Sequence, residues 1–292
     1  MVASLPFEHR YTIDPRGLVS FYESIDTWSP YQADYRLKDL EQFLLDLGSK
    51  TAAQKQEHKR LKESGKTGLP YGGWELNEWI PNYTDHVNTL IERLKTFSYS
   101  AAYPGSNPGI VDNSMYNYRP EKMAVKKAIG EFMDDCHRSI CQSQQKQIFL
   151  EDNTWSILFA DSLLDLTPTA KMLHIVRDPR DVVASMQKQK WTPSNLDQLL
   201  TYYGDIMDQW HTRSKNLSDS QVMTIRLEDL VSDTEAVLLA ICSYTGLETE
   251  EKMLALDLSK SNTGRYLDQF TTSERQMMDS RLAPYLKHYN YV

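Results

Sequence analysis

Long apolar runs are missing from this chain of 292 residues, since no uninterrupted apolar stretch approaches the roughly 18 residues that a membrane-spanning helix needs. The N-terminus, MVASLPFEHRYTIDP, lacks the basic start and the apolar stretch of a secretory signal. Cysteine is scarce: Cys136, Cys141 and Cys242 cannot all pair with one another and form no C-x-x-C. Neither a disulfide framework nor a zinc site is therefore indicated. We expect a reducing, aqueous setting, the cytoplasm.

A surplus of positive charge is also lacking. Asp and Glu number 40 against 32 Lys and Arg, so the formal net charge is −8. A general nucleic-acid binder needs a surplus of cations on one face to neutralise phosphates. We therefore expect no nucleic-acid partner. The length allows one large domain, or two small ones, with a buried core.

Residues 1–145 are rich in helical patterns. The charge-rich stretch 54–66 is expected to be a solvated helix face. Apolar residues recur at helical spacing in three other segments of this region, 35–47, 86–94 and 123–140.

From about residue 146, short apolar runs alternate with helical patterns. Alternation of this kind predicts crossover units and a parallel sheet flanked by helices, the α/β class. Ligands of such sheets bind outside the carboxyl ends of the strands. Chemistry is therefore expected just after residues 150, 176 and 226. The apolar runs are 147–150, 172–176 and 222–226, and the helical patterns are 156–165, 179–189 and 234–245.

The segment 171–185, KMLHIVRDPRDVVAS, has the features of an anion site at a strand end. An apolar strand ends at Val176, and Arg177 stands where the chain leaves the sheet. Asp178 is suited to cap the next helix, and Pro179 to its first position. The start of that helix directs free N–H groups and the positive end of its dipole toward the ligand crevice.

Two side chains complete the predicted anion site. The guanidinium of Arg177 matches the geometry of a phosphate group. Ser185 supplies a hydroxyl about two turns into the helix. An alternative stays open, in which Arg177 pairs with Asp178 or Asp181 and merely anchors the helix.

These residues resemble the 3′-phosphate-binding segment of sulfotransferases, the enzymes that use 3′-phosphoadenosine 5′-phosphosulfate (PAPS). The segment 150–171, ending in PTAK, is similar to the family's stretch that ends in "PdAK". Residues 225–247 resemble its "RYEDL … GL" segment, and 264–291 its "GRW … GY" finish. The likeness covers about residues 146–292.

The resemblance implies the sulfotransferase fold, a P-loop-NTPase-like parallel sheet flanked by helices. We expect one sulfotransferase-like domain over 1–292, with 1–145 as a mainly helical acceptor-side region and 146–292 as the α/β nucleotide-binding core. It further implies that Arg177 and Ser185 hold the 3′-phosphate. Arg265 is implied as their helper, with Lys260 and Ser261 as weaker candidates.

The N-terminal segment Glu8–Leu18, EHRYTIDPRGL, looks like the "E-x-R" segment of bacterial and tyrosylprotein-like sulfotransferases. The resemblance implies that Glu8 is the general base and that Arg10 holds either Glu8 or the sulfate. Sulfuryl transfer to a hydroxyl needs such a group to accept the proton. The alternative is that Glu8 is a solvated residue of a frayed terminus.

Other titratable residues have simpler interpretations. Glu228 and Asp229 follow a strand end and are expected to cap a helix and form ion pairs. His174 lies inside a strand and is expected to be a core histidine. His9 and His211 stay open as alternative bases.

Two features of the family are missing. The glycine-rich loop G-x-P-R-S-G-T-T, which cradles the 5′-phosphosulfate, does not occur. The segment ESGKTG at 63–68 contains G-K-T, but no apolar strand precedes it as in a P-loop, so we expect a surface loop there. The alignment of Glu8 places the loop upstream of Met1, so we expect a chain that is N-terminally shortened and lacks the family's first strand. The family's catalytic lysine is also absent from 151–155, EDNTW.

Two functions follow from this pattern. The first is a PAPS-dependent sulfotransferase, without a metal, acting on the hydroxyl of a sugar, phenol, small molecule or peptide. The alternative is a truncated, non-catalytic module that binds PAPS or adenosine 3′,5′-bisphosphate (PAP). A P-loop kinase is disfavoured because neither a Walker loop nor a Mg²⁺-binding pattern occurs.

The acceptor cleft is expected to be covered by aromatics of 50–120, of which at least half would pack in the core. These aromatics are Trp74, Trp79, Tyr83, Tyr103, Tyr116 and Tyr118.

Overall fold

The computed structural model describes residues 2–101, 114–255, 258 and 263–292. The chain divides into two compact units, 1–168 and 169–292. In the described part of the chain, no helix combines the length and the apolar character needed to cross a membrane.

The first unit is mainly helical, as its sequence predicts. Helix α3 buries no residue, which confirms the solvated helix expected at 54–66. Short 3₁₀ turns occupy Ser24–Thr27 and Ser156–Phe159. The helices are α1 (Leu18–Glu23), α2 (Pro30–Gly48), α3 (Ala52–Glu63), α4 (Leu76–Trp79), α5 (Tyr83–Leu94), α6 (Lys122–Ser143) and α7 (Ala160–Leu166).

Two strand pairs belong to this unit. Strand β1 (Val2–Ser4) pairs in parallel with β4 (Ile148–Leu150), and β2 (Lys95–Ser100) forms an antiparallel hairpin with β3 (Ser114–Tyr118). Only β4 was predicted from the apolar pattern. A strand of three residues such as β1 is too short to show a period, and its pairing joins residues 146 positions apart (Ala3 with Phe149).

The core of the first unit is strongly aromatic. Tyr11, Phe43, Tyr83 and Tyr118 have no exposed surface, and Phe132 has 1%. The ring of Phe132 meets Tyr11 edge-on with 5.7 Å between centroids. Because Tyr11 belongs to this core, the N-terminal segment is anchored in the unit.

The second unit has the predicted α/β pattern. Strands β5 (Met172–Val176) and β6 (Val222–Arg226) have the predicted limits and pair in parallel, with Val176 beside Arg226 at the carboxyl end. Parallel strands flanked by helices confirm the expected fold class. The helices are α8 (Pro179–Met186), α9 (Leu196–Ser214), α10 (Leu227–Ser232), α11 (Thr234–Thr245), α12 (Glu251–Leu254), α13 (Arg265–Gln269) and α14 (Thr272–His288).

Candidate functional site

Arg177 follows the last residue of β5, at the carboxyl end of the parallel pair. The Asp178 side chain accepts a hydrogen bond from the amide of Arg180 at 2.9 Å, and Pro179 is the first residue of α8. Both residues therefore start the helix in the way their types favour. The Arg177 side chain is 17% exposed. The strand end thus presents a largely enclosed guanidinium beside a helix N-terminus.

The neighbouring Arg180 is held by carboxylates. Its Nε and Nη2 donate to Asp178 at 3.0 and 2.7 Å, and its Nη1 donates to Asp279 at 2.9 Å. The hydrogen bonds with Asp178 raise the pKa of Arg180 above its ordinary value. Arg180 therefore anchors the start of α8, and Arg177 is the better candidate for binding a phosphate.

Asp181 joins two distant segments of the second unit. Its carboxylate is fully buried and accepts the backbone amides of Gly264 at 2.6 Å and Tyr266 at 2.9 Å. Nη2 of Arg177 lies farther away, 3.6 Å from Oδ2 of Asp181. The alternative raised from sequence, a contact between Arg177 and Asp181, is thus present, but the two amides hold this carboxylate more closely.

Asp181 also relates the predicted phosphate ligands to one another. Ser185 lies four residues beyond Asp181 on α8, which places both on one helix face, and it is half-buried. Arg265 lies between the two residues whose amides bind Asp181, after Gly264 in the left-handed region at φ 78°. Lys260 and Ser261 lie outside the described residues. Asp181 therefore contacts both Arg177 and the turn that bears Arg265, while Ser185 lies one turn farther along α8 itself.

Glu228 has the structural role expected from sequence. Its Oε1 accepts the amide of Asp178 at 3.0 Å, and its Oε2 accepts the hydroxyl of Tyr291 at 2.6 Å. The guanidinium of Arg226 lies 4.3 Å from the Tyr291 ring, and its Nη1 is 3.9 Å from Asp229. The C-terminus is thereby fastened to the carboxyl ends of both strands.

Glu8 and Arg10 form an ion pair in the first unit, with 2.7 Å between Oε2 and Nη2. Their side chains are 26% and 34% exposed. Trp74 donates its ring N–H to the Glu8 carbonyl at 2.8 Å, and the Arg10 guanidinium lies 5.8 Å from the Trp74 ring. The segment is ordered by these contacts and by the buried His9, so the frayed terminus considered from sequence is wrong.

The pairing between His9 and Glu151 was not predicted from the sequence. Nε2 of His9 lies 3.1 Å from Oε2 of Glu151, the first residue after β4, and His9 is 1% exposed. Burial acts to raise the pKa of Glu151, but the adjacent His9 holds it below its ordinary value. The sequence did indicate that chemistry should lie just after residue 150, where Glu151 stands, but it gave no indication that His9 is the partner of Glu151.

His174 is a core residue, as its place in β5 predicts. It is 4% exposed, and its ring centroid lies 4.2 Å from that of Trp210. Burial, together with the charges of His211 and His288, lowers the pKa of His174 to about 4. A histidine so enclosed cannot contact the hydroxyl substrate and is therefore unsuited to be the general base.

The aromatic residues expected over the acceptor cleft differ in their exposure. Tyr83 and Tyr118 have no exposed surface and belong to the core, whereas Trp79 is 42% exposed. Trp74 contacts Glu8 and Arg10, as described above. Tyr103 lies outside the described residues.

Comparison with known proteins now adds to this geometry. The profile described as "Sulfotransferase family" matches residues 52–251, more than half of the chain. That span includes Arg177 and Ser185, and excludes Glu8, Arg10 and Arg265. No curated protein matches the sequence.

One similar solved structure is a sulfotransferase domain from the curacin biosynthetic pathway. It is 12% identical over 91% of this chain and 86% of that one, with a TM-score of 0.39. The family is shown by the profile match over residues 52–251. By that match, the chain belongs to the sulfotransferase family.

Proposed function

We propose that this sulfotransferase takes the sulfuryl group of PAPS and transfers it to a hydroxyl acceptor, releasing PAP. The observation that carries the proposal is the arrangement around α8. Arg177 follows the end of β5, and Ser185 lies on the same face of α8 as Asp181. Asp181 in turn holds the turn that bears Arg265. Cations, a hydroxyl and a helix N-terminus are the groups that bind a phosphate.

On the nucleotide side, Arg177 and Ser185 bind the 3′-phosphate and Arg265 assists them. Phosphate oxygens accept hydrogen bonds from guanidinium and hydroxyl groups, and the charge on both partners makes the bonds with arginine strong. The role of Asp181 is to hold the turn, since its oxygens are nearer to the amides of Gly264 and Tyr266 than to Arg177.

On the acceptor side, Glu8 is the proposed general base. The acceptor oxygen forms a bond to sulfur while the bond from sulfur to the 5′-phosphate oxygen breaks, and the acceptor's proton passes to Glu8. Arg10, 2.7 Å from Glu8, orients its carboxylate and offers a cation to the sulfuryl group. The proposal needs no metal ion.

The free thiols of all three cysteines fit a reducing cytoplasm.

A second candidate function is a non-catalytic module that binds PAP or PAPS. Two sequence observations favour it: the glycine-rich loop does not occur in these 292 residues, and EDNTW at 151–155 has no lysine. In the structure, the carboxylate of Glu151, the first residue of this segment, is paired with His9. Under this alternative the 3′-phosphate site works and the transfer step does not.

Two measurements separate these functions. Calorimetry with PAP tests the nucleotide site, and incubation with ³⁵S-labelled PAPS and a panel of sugars, phenols and tyrosine peptides tests transfer. Binding together with a labelled product supports the sulfotransferase, and binding without any labelled product supports the module. A protein that binds neither PAP nor PAPS would contradict both.

A further inference from the structure

The His9–Glu151 pair lies directly beside the proposed catalytic pair in the sequence. Glu8 and Arg10 flank His9, and their side chains are partly exposed while His9 is almost completely enclosed. Successive residues of this segment therefore turn alternately outward and inward. His9 is the inward residue that lies between the two outward ones.

Glu151 attaches this N-terminal segment to the end of strand β4. It is the first residue after that strand, in a position where α/β proteins bind their ligands. Its Oε2 faces His9 at 3.1 Å, and its Oε1 accepts Thr12 Oγ1 and Asn153 Nδ2, both at 3.4 Å. Both oxygens of the carboxylate are thus engaged by neighbouring polar groups, and His9 and Thr12 join it to the segment on either side of Arg10.

The backbone between these two attachments is strained. Arg10 has a φ of 69°, in the left-handed region that residues with a Cβ seldom adopt. Such a conformation persists where the surroundings impose it, and it is common at functional sites. Here the turn at Arg10 allows the His9 and Tyr11 rings to stack at 3.8 Å with 12° between their planes. Tyr11 is completely buried, so both ends of the turn are held from the inside.

We propose that His9 and Glu151 are positioning residues, which hold the Glu8–Arg10 pair in the direction needed for proton removal from the acceptor. His9 is too enclosed to touch the acceptor, so it acts through its neighbours. The inference rests on the proposed function of Glu8. It adds that a buried histidine and a partly exposed glutamate, paired across two distant segments, orient this base.

The test compares His9→Ala, His9→Gln and Glu151→Ala with the unaltered protein. The matched control is His86→Ala, since His86 is a half-buried histidine of the same unit that hydrogen-bonds Ser139 at 2.9 Å. Hydrogen–deuterium exchange of the peptide covering residues 5–12 reports whether the segment is held. Transfer of ³⁵S-sulfate reports kcat and KM, and calorimetry reports PAP affinity.

We expect His9→Ala and Glu151→Ala to speed exchange in this peptide by about tenfold or more, while the helices of the unit keep their protection. We expect kcat to fall by about tenfold to a hundredfold, since misplacing a reacting group reduces its effective concentration. PAP affinity should stay within about twofold because its site involves other residues. His9→Gln keeps a nitrogen donor for Glu151 and should recover most of kcat, and His86→Ala should leave both the exchange of 5–12 and kcat unchanged.

Unchanged exchange in both alanine variants would overturn the anchoring by this pair. Faster exchange with unchanged kcat would show a purely structural contact and overturn the positioning role. If the unaltered protein binds PAP but transfers no sulfate, the proposed activity fails, together with the catalytic consequence drawn here. The exchange data would then still decide whether His9 and Glu151 hold Glu8.

Discussion

The carboxylate of Asp181 accepts the backbone amide of Tyr266 at 2.9 Å, although 85 residues separate them in the sequence. Its other oxygen accepts the amide of Gly264 at 2.6 Å. A fully buried carboxylate is costly unless it is hydrogen-bonded, and two amides supply the needed donors. The Asp181 carboxylate therefore holds the backbone of the turn that bears Arg265 to α8.

Replacing this carboxylate should loosen that turn. In Asp181→Asn one of the two oxygens becomes an amide nitrogen, which cannot accept, so a buried N–H loses its partner. We expect a loss of about 1–3 kcal/mol in the free energy of unfolding, measured with urea. Asp279→Asn is the control, because the Asp279 side chain, which pairs with Arg180, is 53% exposed. Equal stability in the two variants would contradict the role given to Asp181.

Arg177→Ala tests the nucleotide site directly. Hydrogen bonds to charged groups contribute about 1.5–3 kcal/mol, so PAP affinity should fall by about tenfold to a hundredfold in calorimetry. The control is Arg281→Ala, which removes a surface arginine paired with Asp197 at 2.5 Å in the same unit. If both variants bind PAP as tightly as the unaltered protein, Arg177 is not a phosphate ligand.

Glu8→Gln tests the general base. The amide is nearly the same shape as the carboxylate but accepts no proton, so kcat for sulfate transfer should fall by about a hundredfold to ten-thousandfold. PAP affinity should remain, since the nucleotide is bound by other residues. Glu63→Gln, at an exposed glutamate in α3, is the control. An unaltered kcat in Glu8→Gln would remove this residue from the mechanism.

His174 should make stability depend on pH between about 6.5 and 4. Burial lowers the pKa of His174 to about 4, below the ordinary value near 6.5 of the unfolded chain. The unfolded state therefore takes up this proton first, and the stabilisation present above pH 6.5 is lost as the pH falls toward 4. One such proton changes the free energy of unfolding by about 1.4 kcal/mol per pH unit.

His174→Phe removes that proton uptake while keeping an aromatic ring against Trp210. Urea unfolding at several pH values should show a shallower decline in the variant than in the unaltered protein. His137, whose pKa burial also lowers to about 4, continues to contribute in both proteins. Parallel curves for the two proteins would show that folding does not lower the pKa of His174.

Strands and helix starts were predictable where local pattern is strong. Strands β5 and β6 have their predicted limits because each is a short apolar run. Asp178 caps α8 because a short acidic side chain reaches the first free amides. The hairpin of β2 and β3 was not predicted, since its residues show little apolar patterning and β2 is largely exposed.

Side-chain pairs were predictable only within a segment. Glu8 and Arg10 were named as partners because their segment resembles the E-x-R segment of sulfotransferases, and they lie 2.7 Å apart. The pairing of His9 with Glu151 joins residues 142 positions apart, and no property of either segment alone marks its partner. The roles of Arg177, Ser185 and Arg265 at a phosphate remain predictions.

The amino-acid sequence by itself determined the α/β pattern of the second unit, the capped helix after Arg177 and the resemblance to sulfotransferases. The first two depend on the spacing of neighbouring residues, which local sterics and hydrogen bonding translate directly into structure. Only the tertiary structure decided that Asp181 binds the turn at 264–266, that Arg180 is occupied by carboxylates and that Glu151 meets His9. Those contacts arise when apolar burial brings distant segments together, because each enclosed polar group must then find its partner among whichever residues the folding has placed beside it.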